Sequence, residues 1–300
     1  MKKFQKTTIL MVIILSLVFL NLHSGEKKEV NKTFKALENV KIKVVSGDCV
    51  IKKGKKSEIK VHLVYTFSDE KYKPVMEVEG DTLVLKEEFT KSRSNDKGHS
   101  SWTVTVPEKT NIEAKTASGD ISASGLKSEF YGKAASGDIK VSDFAGKLTV
   151  KVASGDVEVK KARGKMRLEV ASGDIEVDDA AGVFEVKCAS GGVDLTGVVI
   201  EGASEFKVVS GDTNIKLAKT CAYNLELTGV SGNIVLDYNG NALKGYYKFN
   251  GPKGGIKTPF SFDKKEESRY SPFVKRSQKV GGDSPVISMK TVSGDLILKK

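Results

Sequence analysis

Proline is scarce in this chain, with six in 300 residues and none between Pro107 and Pro252. Nothing in that span interrupts a hydrogen-bonded ladder, so it can run as one sheet system. Cysteine is scarcer still. Cys49, Cys188 and Cys221 are too few and too scattered for a disulfide framework, although a Cys188–Cys221 bridge stays open at this stage. Cys49 and Cys188 stand where neighbouring repeats carry Ile, Val or Ala, which marks them as small buried hydrophobes rather than ligands or nucleophiles. Past the N-terminal stretch, histidine occurs only at His62 and His99. Neither lies near a candidate nucleophile, so a Ser-His-Asp triad has no support.

Long apolar runs are also missing. The longest, Ile9 to Leu20, spans 12 residues and contains Ser16. That is short for a membrane span and right for the core of an export signal, with Lys2, Lys3 and Lys6 ahead of it. We expect a signal over residues 1–25 and a periplasmic, cell-surface or secreted protein. An uncleaved N-terminus is the one membrane attachment foreseen.

The net charge is +11, or +8 once the three lysines of residues 1–25 are removed. The excess collects in Lys52 to Lys56 and in Lys264 to Lys279. Solvated loops account for such runs, and a polyanionic envelope partner is the sharper reading. Acids and bases alternate within the repeats, and no basic stripe is expected along one strand face. Nucleic acid is therefore not an expected partner, despite a pI near 9.3.

What the chain does have is a recurring tripeptide. Ser118-Gly119-Asp120, Ser136-Gly137-Asp138, Ser154-Gly155-Asp156 and Ser172-Gly173-Asp174 lie 18 residues apart, and Ser190-Gly191-Gly192 keeps the beat. The step loosens to 20 at Ser210-Gly211-Asp212 and to 21 at Ser231-Gly232-Asn233. Outlying copies are Ser46-Gly47-Asp48 and Ser293-Gly294-Asp295. A fixed step means one structural unit stacked repeatedly.

Around each serine the apolar residues alternate. Phe130, Leu148, Met166 and Phe184 lie six residues upstream, and Val150, Leu168, Val186 and Phe206 four upstream. Ile121, Ile139, Val157 and Ile175 lie three downstream, and Val141, Val159, Val177 and Leu195 five downstream. Period-2 alternation is the mark of a strand with one buried face. Each unit therefore holds two short strands turned by Ser-Gly-Asp, with Gly146, Gly164 and Gly182 expected at the opposite turn. Coils pairing in register make an all-β, single-stranded β-solenoid of about 18 residues per coil, whose repeat block from 118 to 238 should be roughly 30 Å long. Asn233 and Gly192 replace the acid without breaking the pattern, so turn geometry is the requirement and charge is secondary. Stacked aspartates then need amide donors, lysines or a cation beside them.

The expected organisation is a β-rich N-terminal section over 30–117 that starts and caps the solenoid, the repeat block over 118–238, a segment over 239–285, and a last coil over 286–300. Of 13 phenylalanines and eight tyrosines, seven fall in 239–285, among Lys264, Lys265, Arg269, Lys275 and Arg276. A hydrophobic end cap is the favoured account. Tyr246, Tyr247, Phe249, Tyr270 and Arg276 are the candidates should the segment contact a ligand.

The units Ala-Ser-Gly-Asp-Ile/Val-x-Val resemble the bacterial DUF4097 family of adhesin-like proteins. So do Ile42-Lys-Val-Val-Ser-Gly-Asp and the strand Trp102-Thr-Val-Thr-Val-Pro107 leading to Ala117-Ser-Gly-Asp-Ile121. The resemblance covers about residues 33–300, with 239–285 as an insertion. It implies an extracytoplasmic β-solenoid of the cell envelope and brings no catalytic residues.

Calcium-binding β-rolls carry a ligand turn at both ends of every coil, whereas here one turn reads Phe144-Ala-Gly146 or Ala162-Arg-Gly164. Neither a metal nor a cofactor is expected. The pair Asp178-Asp179 sits at a turn as solvated charge. The expectation is a non-catalytic exported binding module for a cell-surface or envelope polymer or protein. An envelope-stress or assembly scaffold is the alternative, and a carbohydrate-active enzyme on a β-helix a distant third.

Overall fold

The computed structural model describes residues 27–90 and 98–300, so the expected export signal lies outside the described residues. The alternating apolar pattern forms strands throughout, and the described residues contain no helix. Residues 118–238 stack as parallel coils with like positions opposite one another: Ile139 pairs with Val157, Leu148 with Met166 and Val150 with Leu168. Each coil carries one longer strand ending at the serine and one short strand after the Asp, as in Leu225–Ser231 and Ile234–Asp237.

The two outlying tripeptides join the same row. Ser46 pairs with Ser118, Ser118 with Ser136, and so on through Ser154, Ser172, Ser190, Ser210 and Ser231 to Ser293. Nine rungs result, about 38 Å from first to last at a strand spacing near 4.8 Å. The boundaries therefore fall elsewhere than expected. Asn39–Lys53 is already a full rung, and the strand over Asn111–Ser118 belongs to the next one.

Glycine is required at the turn for two reasons. Gly155 has φ 131°, a region that L side chains avoid. A Cβ there would also sit 2.4 Å from the Gly137 carbonyl oxygen of the neighbouring rung. At the opposite end the expectation needs correcting, because the reversal has two parts. The chain first bends at Asp143, Lys161 and Asp179, with φ of 50–53°, and bends again three residues later at Gly146, Gly164 and Gly182. Between the two bends Phe144, Ala162 and Ala180 point into the core.

The aspartates are held by amide donors. Asp120 Oδ1 accepts from the Asp138 amide at 2.9 Å, Asp138 from Asp156, Asp156 from Asp174, and Asp174 from Gly192. The chain of bonds resumes from Asp212 to the Asn233 amide and from Asn233 to the Asp295 amide. Asparagine serves as well as aspartate because one side-chain oxygen is all that the next amide needs.

Both ends are closed by antiparallel strands. At the N-terminal end Tyr72–Glu79 pairs with Thr82–Phe89, which lies against the Asn39–Lys43 part of the first rung. Lys28–Lys35, Glu58–Tyr65 and Ser100–Val106 extend the other side. At the far end the chain passes its own terminus. Val286–Lys290 lies between Leu225–Ser231 and Gly245–Pro252, so the last residues are an inner rung and the 239–285 segment forms the cap. Open sheet edges invite pairing with other chains, and these caps leave only short or charged ones. All three cysteines are free and buried, so the Cys188–Cys221 bridge does not form.

Candidate functional site

Stacking converts positions in the repeat into columns on the surface. Three residues before each serine stand Lys43, Lys115, Lys133 and Lys151, then Glu169, then Lys187 and Lys207, then Thr228, then Lys290. Lys86 continues the column at one end, and Asn250 and Lys275 at the other. The expectation that no basic stripe follows a strand face is thus overturned. Within the repeats the lysines recur with the coil step, and register brings the remote Lys43 and Lys290 into the same line.

The neighbouring column supplies partners for some of them, and the column's own acid for another. Lys187 pairs with Glu185 at 2.9 Å and Lys290 with Glu226 at 2.8 Å, while Lys151 pairs with Glu169 of its own column at 2.7 Å. Lys115 pairs with Glu113. Hydrogen bonds from Lys187 and Lys290 hold the Glu185 and Glu226 carboxyls below their ordinary range. These are half-exposed pairs of the kind that contributes little to stability and yields readily to a competing anion.

Two depressions lie on this face. One, about 390 Å3, is lined by Tyr246, Lys248, Lys264, Lys275, Lys290 and Glu226 among others. Its floor is built by three aligned strands, with Tyr246 opposite both Val286 and Lys279, and Lys248 opposite Ser288 and Ser277. The Lys248 and Lys279 ammonium groups stand 4.9 Å and 5.9 Å from the Tyr246 ring centre. The other, about 490 Å3, is lined by Lys41, Glu113, Glu129, Tyr131, Lys147 and Thr149 among others. There the Lys115 ammonium lies 5.4 Å from the Tyr131 ring.

The five candidate contacts separate sharply. Tyr246 lines the first depression. Tyr247 and Phe249 belong to the core at 0% and 2% exposure, because strand alternation turns them inward. Tyr247 donates to the Tyr238 hydroxyl at 3.0 Å, and Phe249 packs on Phe262 at 5.7 Å. Both are withdrawn as ligand contacts. Arg276 borders the depression, but its guanidinium pairs with Glu267 at 2.9 Å and lies over Phe262. Tyr270 is 94% exposed and is absent from the residues lining the depression. Tyr131 and the lysine column escaped the sequence reading, although aligning the repeat copies three residues before the serine would have exposed the column.

Elsewhere, His62 and His99 are surface residues beside Glu29 and Asp48. No group of three or more His, Cys, Asp or Glu is placed to hold a metal among the described residues. One buried acid was not foreseen. Glu87 accepts from the Val45 amide (2.7 Å), Tyr72 hydroxyl (3.0 Å), Ser100 hydroxyl (2.5 Å) and Trp102 indole (3.1 Å). It ties the N-terminal cap to the first rung.

In-register parallel rungs between two antiparallel caps define an all-β solenoid. The chain belongs to the DUF4097 family, whose Toastrack profile matches residues 37–254. No curated protein matches it. Among solved structures it is similar to a "putative adhesin" from Parabacteroides distasonis, with 14% identity, 92% of this chain and 98% of that one covered, and a TM-score of 0.54. It also matches a "putative adhesin" from Bacteroides fragilis, with 13% identity, coverage of 92% and 99%, and a TM-score of 0.42. A "putative cell adhesion protein" from Clostridium sporogenes matches at 13% identity, with coverage of 91% and 98% and a TM-score of 0.25. The first of these supports the fold and nothing further.

Proposed function

We propose that this protein is an exported, non-catalytic, adhesin-like module that binds a polymer or protein of the cell envelope or cell surface through the side of a rigid solenoid. The carrying observation is the register itself, which lines up one side chain per rung over nine rungs. Such a surface repeats along its length and matches a partner that is also extended. The adhesin description of the similar Parabacteroides distasonis structure agrees with this reading. The N-terminal residues supply the export reading.

Cell fractionation with N-terminal sequencing tests the location, and mature chain in the cytoplasm overturns it. Binding of purified protein to whole cells tests the activity, with polymer length followed in parallel. Binding without shortening is the expected result, and depolymerisation would instead make the protein an enzyme.

A second reading, a scaffold contacting another protein, draws on one observation. Val209, Val230 and Val292 are 52%, 46% and 55% exposed and stand immediately before the serines of adjacent rungs. Serine replacements at all three positions that abolish cell binding, with the lysine face intact, favour this reading.

A further inference from the structure

We propose that the lysine column and the two tyrosine-lined depressions form one track for a linear acidic polysaccharide, a glycan bearing carboxylate groups. The assignment rests on the surface-binding reading above and narrows its ligand.

Three features of the face lead there. From Lys43 to Lys151, and again at Lys187 and Lys207, charge is offered at the rung spacing, close to the rise of one monosaccharide in an extended glycan, so successive carboxylates can meet successive lysines there. Tyr131 and Tyr246 each present a ring with a lysine ammonium 4.9–5.4 Å from its centre. Seven rungs separate the two tyrosines through the paired strands, about 34 Å at the usual strand spacing. An aromatic face beside a cation suits a sugar ring, whose C–H face packs on the tyrosine while its carboxylate meets the ammonium. Finally, Glu113, Glu129 and Glu226 line the same depressions. Carboxylates there accept hydrogen bonds from sugar hydroxyls.

Those same acids argue against a DNA phosphodiester backbone, which has no hydroxyls to donate to them. The cations are also the wrong kind for that partner. Phosphate recognition favours the bidentate arginine fork, yet Arg167 on this face is engaged by Glu169 and Glu185. Lysine, a point charge on a flexible stem, tolerates the variable carboxylate positions of a glycan.

The test uses the full chain in affinity electrophoresis and calorimetry with polygalacturonate, set beside neutral dextran, double-stranded DNA and phosphatidylglycerol vesicles. Polygalacturonate should bind and dextran should not, and affinity should fall at least about tenfold between about 50 and 200 mM salt. Tyr131→Ala with Tyr246→Ala should weaken binding about tenfold while the Tyr→Phe pair keeps it, since the ring face is what contacts the sugar. Lys133→Gln, Lys187→Gln and Lys207→Gln together should cost at least about tenfold and flatten the salt dependence, and the arginine triple should retain binding. Fluorescence of Trp102, the sole tryptophan, reports whether each variant is folded. Failure to bind polygalacturonate, equal or tighter binding of DNA or vesicles, or tyrosine variants that bind like the parent would each overturn the proposal. Cell binding that persists without polygalacturonate binding removes only the glycan. Loss of both removes the surface-binding reading as well.

Discussion

The two ends of the solenoid face one problem, an open sheet edge over an exposed core, and close it differently. At the N-terminal end a carboxylate is sunk among aromatic rings, with Glu87 taking four hydrogen bonds from Val45, Tyr72, Ser100 and Trp102. At the C-terminal end the seal is aromatic throughout. Tyr238, Tyr247, Phe249, Phe260 and Phe262 pack at 5.3–6.4 Å, and the one buried polar contact joins two hydroxyls. An apolar seal tolerates the loss of any one contact. A carboxylate hub does not, since removing it strands several buried donors at once.

Glu87→Ala should therefore have the largest effect, on the order of 4 kcal/mol, because each stranded donor costs about 1–3 kcal/mol. Urea unfolding followed at Trp102 checks this, and a loss near that of an ordinary surface change would remove the distinction between the caps. Both ends should be alkali-sensitive, since burial also raises Cys221, Tyr238 and Tyr247 at the C-terminal seal, and Cys49 gives the N-terminal contribution its own readout. Burial, with Glu87 and Asp48 nearby, pushes the Cys49 thiol from 9.0 up to about 12. The unfolded chain then releases that proton first, so stability falls as pH rises through that interval. Unfolding at stepped alkaline pH, with Cys49→Ala as control, should show a shallower decline in the variant.

Gly155→Ala should come next at about 3 kcal/mol, since backbone strain of roughly 1–3 kcal/mol is joined by the contact with the Gly137 carbonyl. Gly80→Ala has φ 64° but nothing within 4 Å, so it should cost only about 1 kcal/mol. Equal losses at the two glycines would show that stacking adds nothing to the local preference. Tyr247→Phe removes one hydroxyl from the C-terminal seal and should cost about 1 kcal/mol by thermal unfolding. Asp156→Asn should be close to silent, below about 0.5 kcal/mol, because Asn233 already fills this role in another rung.

How far these features could be read without coordinates depends on their range. The period, the strand faces, the turn glycines and the buried cysteines all follow from residues within one coil and its copy 18 residues away. The opposite corner was read only in part: its glycines were found, but the first bend, three residues earlier, falls on Asp143, Lys161 and Asp179, where no glycine advertises the positive φ. Tyr247 and Phe249 looked like ligand contacts by composition. Their alternation with Tyr246 and Lys248 decides which ring faces inward, and it can be applied only once the strand is known to have a core beneath it.

A repetitive chain declares its own architecture, since the interaction that stabilises one coil is written again in the next. Hence the alternation and the glycine spacing were sufficient for an all-β stack. Which remote segments share a rung is settled by pairing in space. Only folding placed residues 39–53 against 111–124 and slid 286–299 beneath the 239–285 cap. From those contacts come the ends of the lysine column, at Lys43 and Lys290, and both depressions, because these exist only where strands far apart in the chain lie side by side in register.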